Sequence, residues 1–205
     1  MSPRTVLVHA GICDTRMWDG FELPGEVLRH SLEDDLAETV GDAPAALVGA
    51  SYGGLVCLDF AARQPELVTR LVLLDAPLMD HDWSDEVEDY DAEEERLLEA
   101  GDLDAAAELD VRFWAPEIAD RLRPMTRKAL EMDVKEVGPV DPGAVRAPAL
   151  VAVGEHDKAD FRAIAERLAR ELPDAELVVI AGAGHLPSME RPDATVELVR
   201  GFLER

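Results

Sequence analysis

The sequence predicts an α/β domain, in which about five parallel strands are flanked by helices and a helical cap is inserted. Short apolar runs rich in valine, leucine and alanine alternate with longer stretches of helical spacing. One of these runs, residues 45–50, stops at a serine bracketed by glycines, which is typical of a strand, a sharp turn and a helix. Between residues 77 and 140 the alternation is broken, and helical patterns follow one another without a strand.

The predicted strands are short apolar runs that form a parallel sheet. A single helix connects one parallel strand to its neighbour through a right-handed crossover, so we expect the strands to lie side by side in chain order. The first strand then forms an exposed edge, and a homodimer through that edge is the expected way of covering it. The five runs are residues 5–9, 45–50, 70–76, 148–154 and 176–181.

The segment between the first two predicted strands has a helical pattern. Leu28, Leu32, Leu36 and Val40 recur at helical spacing, and Pro24 stands near the start of the pattern. We therefore expect one amphipathic helix from Pro24 to Val40 and no strand in this segment.

Three parts of the chain follow from these patterns. The core is expected to comprise residues 1–76 and 141–205, and the cap is residues 77–140, with helices at 92–100, at 103–114 and after Pro116. The strongly acidic run 80–91 is predicted to be solvated and mobile. Such runs repel themselves, and this one lacks the ligand spacing of a cation-binding loop.

Composition narrows the possible partners. The chain has 205 residues, of which 47% are hydrophobic, which is enough for one sizeable core. Its 20 basic and 44 acidic residues give a net charge of −24. Phosphate backbones and anionic lipid surfaces are repelled by that charge, so we expect no nucleic-acid or membrane partner and a poor fit to anionic substrates. The acidity also suits a high-salt habitat.

The remaining composition signals favour a cytoplasmic protein without a metal. No apolar run reaches the roughly 18 residues of a membrane span, and Met1 to Arg4 lead into a strand instead of an export signal. The two isolated cysteines, Cys13 and Cys57, indicate reduced thiols. The five histidines lack the close spacing of metal ligands, so no metal site is predicted.

The chemistry-bearing motif is Gly49-x-Ser51-x-Gly53. Small residues on both sides of the serine let the chain fold back tightly and lift the hydroxyl clear of the backbone. A serine nucleophile needs a base and an acid, and both follow apolar runs downstream: Asp157 after residues 151–153 and His185 after residues 177–180. Glycine-rich turns between a strand and a helix are also common without catalysis, so the order Ser, Asp, His carries the hypothesis.

Four segments together resemble the α/β-hydrolase superfamily, and the likeness covers nearly the whole chain outside the middle. They are residues 9–18, 49–54, 154–157 and 182–187. Relatives carry a further strand with an Asp and a Gly-x-Gly turn before the helix that precedes the serine. No β-branched run occupies that place here, so we expect a reduced α/β-hydrolase fold.

The resemblance implies a triad of Ser51, His185 and Asp157, with no cofactor. It also implies an oxyanion hole made by the backbone N–H groups of Gly11 and Tyr52.

Several alternatives stay open for the roles around this triad. Asp75 and Asp80 rival Asp157, because some relatives place the acid after the earlier strand. His156 is an alternative to the predicted base. His9 is expected either to shape the oxyanion loop, in which Ala10 stands where relatives usually have glycine, or to be a buried histidine at a strand end.

A substrate pocket is expected over the serine, although its cap residues, together with Met132, would equally serve only to dock the cap. A serine at the turn argues against dehalogenase or epoxide hydrolase chemistry, for which relatives use an aspartate. The preferred function is a carboxylesterase for a small neutral or apolar ester. Lactonase, thioesterase, C–C hydrolase and cofactor-free perhydrolase remain open, as does a binding or signalling protein with little turnover. The expected pocket residues are His9, Ile12, Trp83, Phe113, Trp114, Met125 and Leu186.

Overall fold

The computed structural model describes residues 4–205, which form an α/β fold around one parallel sheet. The sheet has six strands in the order β2-β1-β3-β4-β5-β6, and all of its pairings are parallel. The prediction of a parallel α/β sheet is confirmed, and each of the five predicted strands is present to within two residues. The strands are β1 (Arg4–Val8), β2 (Glu26–His30), β3 (Ala45–Ala50), β4 (Val68–Leu74), β5 (Ala149–Gly154) and β6 (Ala175–Ile180).

The sixth strand, β2, corrects the prediction of a helix from Pro24 to Val40. It pairs with β1 along its whole length, with Val27 opposite Thr5 and His30 opposite Val8. Val27 and Leu28 pack on opposite faces of the sheet, which is the two-residue period of a strand. The strand that we expected to be missing is therefore present.

The helical spacing that misled the prediction comes from residues of different elements that share one core. Leu32 lies in the loop after β2, and Leu36 and Val40 belong to α1 (Leu36–Val40). All three are buried in the same hydrophobic cluster. Because β2 covers β1, the outer strands are β2 and β6, and the reason given for a homodimer through an exposed first strand no longer holds.

The helices of the core cover both faces of the sheet, as a parallel sheet requires. Residues of α1, α2 (Tyr52–Arg63) and α6 (Ala159–Glu171) pack into the cluster on one face. The other face is covered by α8 (Pro192–Leu203), by the short α7 (Pro187–Glu190) and by a 3₁₀ turn at Thr15–Trp18.

Three helices form the insertion between β4 and β5, namely α3 (Asp85–Glu99), α4 (Leu103–Trp114) and α5 (Ala119–Ala129). Helix α4 has the predicted bounds. Helix α3 begins well before residue 92, so the prediction of a mobile acidic run was wrong for its helical part. Val87 and Tyr90 are buried one turn apart, and acidic side chains in the first turn of a helix are favoured by its dipole.

The insertion shares a hydrophobic core with the sheet. Val111 of α4 and Leu122 and Met125 of α5 belong to the same buried cluster as Leu7 and Val48 of the central strands. Both cysteines are free and buried. Among residues 4–205, no helix has the length and apolar character needed to cross a bilayer.

Candidate active site

Ser51 is the single residue between β3 and α2, and its backbone is held in an unusual conformation. Its φ is 48° and its ψ is −124°, in a region that side-chain-bearing residues rarely adopt. The Ser51 N–H donates to the carbonyl of Leu74 at 2.8 Å, and the Gly54 N–H donates to the Ser51 carbonyl at 2.8 Å. The neighbouring strand and the first turn of α2 thus hold the turn in place.

The glycines of the motif are required by close backbone approaches. A Cβ on Gly49 would collide with the Gly53 carbonyl, and a Cβ on Gly53 would collide with the His9 carbonyl and lie 2.6 Å from that of Val8. The turn is therefore packed directly against the end of β1.

The structure brings Ser51, His185 and Asp157 into one hydrogen-bonded row. His185 Nε2 lies 3.0 Å from Ser51 Oγ, and His185 Nδ1 lies 3.0 and 3.1 Å from the two carboxylate oxygens of Asp157. Ser51 follows β3, Asp157 follows β5 and His185 follows β6. The carboxyl ends of these parallel strands lie at the same edge of the sheet. His185 and Asp157 are buried, and the Lys158 N–H donates to Asp157 Oδ1 at 2.7 Å.

Asp157 is held in its ionised form. Burial alone would raise the pKa of its carboxyl, but the charge of His185 and the hydrogen bonds to His185, Asp75 and the Lys158 N–H lower that pKa below the ordinary value. A carboxylate bonded to Nδ1 of an imidazole fixes the tautomer that leaves Nε2 free to accept a proton.

Asp75, one of the alternative acids, lies behind this row rather than in it. It is buried at the end of β4 with a φ of 49°, and its Oδ1 accepts the Gly154 N–H at 2.8 Å. Burial, followed by the charge of Asp157, raises its pKa well above the ordinary value. This shift favours the protonated form of Asp75 beside the ionised Asp157.

The other two alternatives lie away from Ser51. Asp80 forms an ion pair with Arg167 at 2.8 Å on the surface. The side chain of His156 is 68% exposed, and its Nε2 lies 3.9 Å from Glu155. Neither side chain hydrogen-bonds to the row.

Gly11 and Tyr52, the predicted oxyanion donors, are neighbours at the mouth of the site. A Cβ on Gly11 would lie 3.5 Å from Tyr52 Cβ, and both residues line one cavity with Ser51. Tyr52 is the first residue of α2, so its N–H has no partner within the helix. Within residues 4–205, neither N–H donates to another protein group.

His9 holds the loop that carries Gly11 and does not reach the cavity. It is fully buried, its Nδ1 lies 2.8 Å from the Ala10 carbonyl, and its Nε2 accepts the Leu32 N–H at 3.2 Å. Burial lowers its pKa, so the ring is neutral. The expectations of a buried histidine and of a loop-shaping residue both describe it.

A cavity of about 450 Å³ lies over Ser51. Of the predicted pocket residues, Ile12, Trp83 and Trp114 line it. His9, Phe113, Met125 and Leu186 do not, and neither does Met132. The described lining residues are Gly11, Ile12, Ser51, Tyr52, Pro77, Met79, Trp83, Val87, Tyr90, Asp91, Glu94, Asp110, Trp114, Leu130, Val134, Phe161 and His185.

The pocket predictions that were wrong have packing reasons. Met125 and Leu186 are buried in the core cluster that the insertion shares with the sheet, which is the packing that the docking alternative expects of Met125. The ring of Phe113 stacks on Tyr90 with centroids 4.2 Å apart, and Lys158 Nζ lies 3.9 Å from the Phe113 centroid. Phe113 therefore lies behind Tyr90, which lines the cavity.

Two aromatic rings enclose the imidazole, and sequence reasoning named only one of them. Trp114 and Phe161 each place their ring centroids 4.4 Å from that of His185. Phe161 lies one turn after Asp157, at the start of α6, and this position in the sequence was the available signal. Tyr90 was also missed, although it follows Val87 at helical spacing.

The chain was then compared with known proteins. A model of the alpha/beta hydrolase family matches residues 6–198. The chain therefore belongs to the alpha/beta hydrolase family and is an enzyme of that family.

Curated relatives span most of the chain. The carboxylesterase YbfK of Bacillus subtilis is 26% identical over an alignment 246 residues long, which spans 98% of this chain and 80% of the relative. A pimeloyl (acyl-carrier protein) methyl ester esterase of Xanthomonas campestris is 27% identical over an alignment 209 residues long, which spans 89% of this chain and 82% of the relative.

Solved structures share the fold. A thermophilic esterase from Thermogutta terrifontis superposes with a TM-score of 0.74 at 27% identity, covering 98% of this chain and 89% of that one. An enol-lactonase from Burkholderia xenovorans LB400 has a TM-score of 0.71 at 21% identity and covers 100% of this chain and 92% of that one. The second likeness supports the fold alone.

Proposed function

We propose that this chain is a serine esterase that cleaves a small carboxylic ester, neutral or apolar around the reacting carbonyl, through an acyl-enzyme on Ser51. The observation that supports this most is the hydrogen-bonded row of Ser51, His185 and Asp157, with distances of 3.0 to 3.1 Å. The esterases among the relatives point to the same reaction class.

In the first half-reaction, Ser51 Oγ attacks the ester carbonyl while His185 Nε2 takes the hydroxyl proton. The resulting imidazolium is stabilised by the buried charge of Asp157. His185 then gives its proton to the oxygen of the leaving alcohol, and the bond between that oxygen and the carbonyl carbon breaks. The acyl group stays on Ser51.

In the second half-reaction, water attacks the acyl carbonyl and His185 again accepts the proton. The tetrahedral intermediate collapses when His185 returns that proton to Ser51 Oγ, and the carboxylic acid is released. The reaction as written needs no cofactor.

The Gly11 and Tyr52 N–H groups are the proposed donors to the oxyanion in both halves. The positive end of the α2 dipole adds to the stabilisation that the Tyr52 N–H gives the oxyanion. One such donor is worth about 3 kcal/mol of transition-state stabilisation in other serine enzymes.

We further propose that residues 77–140 act as the cap over the site. Tyr90 of α3 and Trp114 of α4 line the cavity. Tyr52 is hydrogen-bonded to the last part of the cap segment. Its Oη donates to the Lys135 carbonyl at 2.9 Å and accepts the Val137 N–H at 3.0 Å. The residue that offers an oxyanion donor is thus tied to the cap.

The observation that suggested a binding or signalling protein with little turnover is not present in the structure. That alternative depended on a missing strand next to the oxyanion loop, and β2 occupies that place. His9 connects the end of β1 to the loop after β2 and so steadies the segment that bears Gly11.

The proposal is tested by the hydrolysis of short-chain nitrophenyl esters by the wild type, by Ser51→Ala and by Ser31→Ala, a control serine outside the cavity. We expect turnover by the wild type and by Ser31→Ala, and a loss of about 10⁴-fold or more in Ser51→Ala. Equal rates for the wild type and Ser51→Ala would contradict the proposal and favour the binding protein.

A further inference from the structure

Glu190 binds the backbone on both sides of His185. It is the last residue of α7, the single helical turn that follows the histidine. The Gly184 N–H donates to Glu190 Oε2 at 2.5 Å, and the Leu186 N–H donates to Glu190 Oε1 at 2.9 Å. One carboxylate therefore holds the residues immediately before and after His185.

The two oxygens of this carboxylate match what the loop needs. Backbone N–H groups outside a helix or sheet need an acceptor from a side chain or from water, and hydrogen bonds to a carboxylate are stronger than those between neutral groups. Each oxygen of Glu190 takes one N–H, so the peptide groups that flank His185 are fixed in position and direction. The backbone determines where a side chain can reach, and this carboxylate therefore affects the place of the imidazole.

The turn that carries Glu190 is itself anchored by two other helices. Arg121 of α5 donates from Nη1 to the Met189 carbonyl at 3.0 Å. Thr195 Oγ1 of α8 lies 2.9 Å from the Pro187 carbonyl oxygen. Glu190 thus holds the loop from a fixed point rather than from a free turn.

The other side of the same loop is packed against the loop that follows β5. A Cβ on Gly154 would collide with the Gly184 carbonyl, and Glu155 accepts the Gly182 N–H at 2.8 Å. The first part of the histidine loop is therefore fixed by the loop after β5, and its last part is fixed by Glu190.

The imidazole leaves little room for movement of its backbone. His185 Nε2 lies 3.0 Å from Ser51 Oγ, and its Nδ1 lies 3.0 and 3.1 Å from the Asp157 oxygens. Because both nitrogens are in use, rotation of the side chain cannot correct a displaced backbone without loss of one contact. A misplacement of about 1 Å costs about 100-fold in rate in other enzymes.

We propose that Glu190 is a positioning residue of the reaction, whose two oxygens hold the backbone of His185 so that the imidazole contacts Ser51 and Asp157 together. The inference rests on the proposed esterase function and adds to it a side chain that acts through His185. Glu190 is not among the described residues that line the cavity over Ser51, so it does not act by touching the substrate.

An amide at this position separates the need for two acceptors from the need for a side chain of this size. In Glu190→Gln the amide oxygen still accepts one N–H, but the NH₂ group faces the other N–H as a second donor. We expect kcat for short-chain nitrophenyl esters to fall by about 10- to 100-fold, with KM within about threefold of the wild type because the cavity is unchanged.

Two other glutamates provide matched controls. Glu197→Gln removes the same charge from an exposed position on α8 and is expected to keep the wild-type kcat. Glu155→Gln keeps an oxygen for the single N–H of Gly182, so we expect it to cost less than Glu190→Gln.

Proton NMR detects the position of the ring without turnover. A proton on Nδ1 that is bonded to a carboxylate resonates far downfield of the amide protons while that hydrogen bond is intact. We expect this resonance in the wild type and in Glu197→Gln, and its broadening or loss in Glu190→Gln that urea unfolding shows to be folded. If Glu190→Gln does not fold, Arg121→Gln, which frees the Met189 carbonyl from α5, is expected to lower kcat and broaden the resonance. A wild-type kcat and resonance in Arg121→Gln would then overturn the inference.

The outcomes separate this inference from the esterase. Glu190→Gln with a wild-type kcat and resonance, and only a lower stability, would overturn the inference because the glutamate would be structural alone. An equal loss of kcat in Glu155→Gln or Glu197→Gln would overturn it as well, because charge rather than paired acceptors would be responsible. Absent ester hydrolysis by the wild type, with the resonance lost only in Glu190→Gln, would overturn the esterase and support the positioning of His185 by Glu190.

Discussion

Asp75 lies beside Asp157, the carboxylate that holds His185, and both acids are buried. Oxygen atoms of both carboxyls and a nitrogen of His185 lie within 4.8 Å of one another. Two carboxyls this close do not both ionise in a buried site, so one of them keeps a proton. The imidazole favours the charged form of Asp157, and burial together with the Asp157 charge favours the protonated form of Asp75.

This relationship predicts different effects of two isosteric substitutions. Asp157→Asn places an amide next to His185 Nδ1, disturbs the tautomer of the ring and is expected to lower kcat by about 10⁴-fold. Asp75→Asn keeps a donor toward Asp157 and an acceptor for the Gly154 N–H, so we expect kcat within about tenfold of the wild type. Steady-state ester hydrolysis measures both. If Asp75→Asn costs as much as Asp157→Asn, the assignment of the acid is wrong.

The same pair predicts how stability depends on pH. Asp75 has a raised pKa in the folded protein, so its contribution is fully present below the ordinary pKa of an unfolded aspartate and is lost as pH rises through the folded pKa. Asp75→Asn has no such proton to lose. The free energy of unfolding of Asp75→Asn should therefore rise relative to that of the wild type as the pH increases from about 5 to about 8. The rise is at most about 1.4 kcal/mol per pH unit.

Urea unfolding at several pH values measures this trend. Asp42→Asn, at an exposed position before β3, removes one negative charge without a buried partner and serves as the control. A difference between Asp75→Asn and the wild type that stays constant with pH would show that Asp75 is ionised in the folded protein.

The serine turn predicts a contrast between two glycines. Gly53→Ala forces a Cβ against the His9 and Val8 carbonyls, so we expect a loss of about 2 to 4 kcal/mol in the free energy of unfolding or a failure to fold. Gly201→Ala, within α8 and with open space around its Cβ, should gain about 0.5 to 1 kcal/mol. Chemical denaturation of both variants provides the comparison. Similar stability of the two would show that the turn is not packed as described.

Much of the site could be predicted because its signals are local. A serine between two glycines after an apolar run, and an acid and a base after later runs, determine which side chains meet at one edge of a parallel sheet. The close approach of Gly49 to Gly53 is also local in the sequence, whereas the approach of Gly53 to the His9 and Val8 carbonyls depends on the pairing of β1 with β3.

The rest depends on pairing between distant segments. Strand β2 contains Glu26 and Arg29, so the strand propensity of its residues does not identify it. It is a strand because it pairs with β1. Asp110 looks like an ordinary polar residue of an amphipathic helix. Only the packing of α4 against Tyr90 buries it and brings it to the cavity wall.

The central claim is that Ser51 is a nucleophile activated by His185, and covalent labelling tests it most directly. The wild type is treated with a fluorophosphonate, and the modified residue is located by mass spectrometry. We expect one adduct on Ser51, equal labelling of Ser31→Ala, and much slower labelling of His185→Ala. Ester turnover by a protein whose Ser51 stays unlabelled, or an adduct on another residue, would contradict the account.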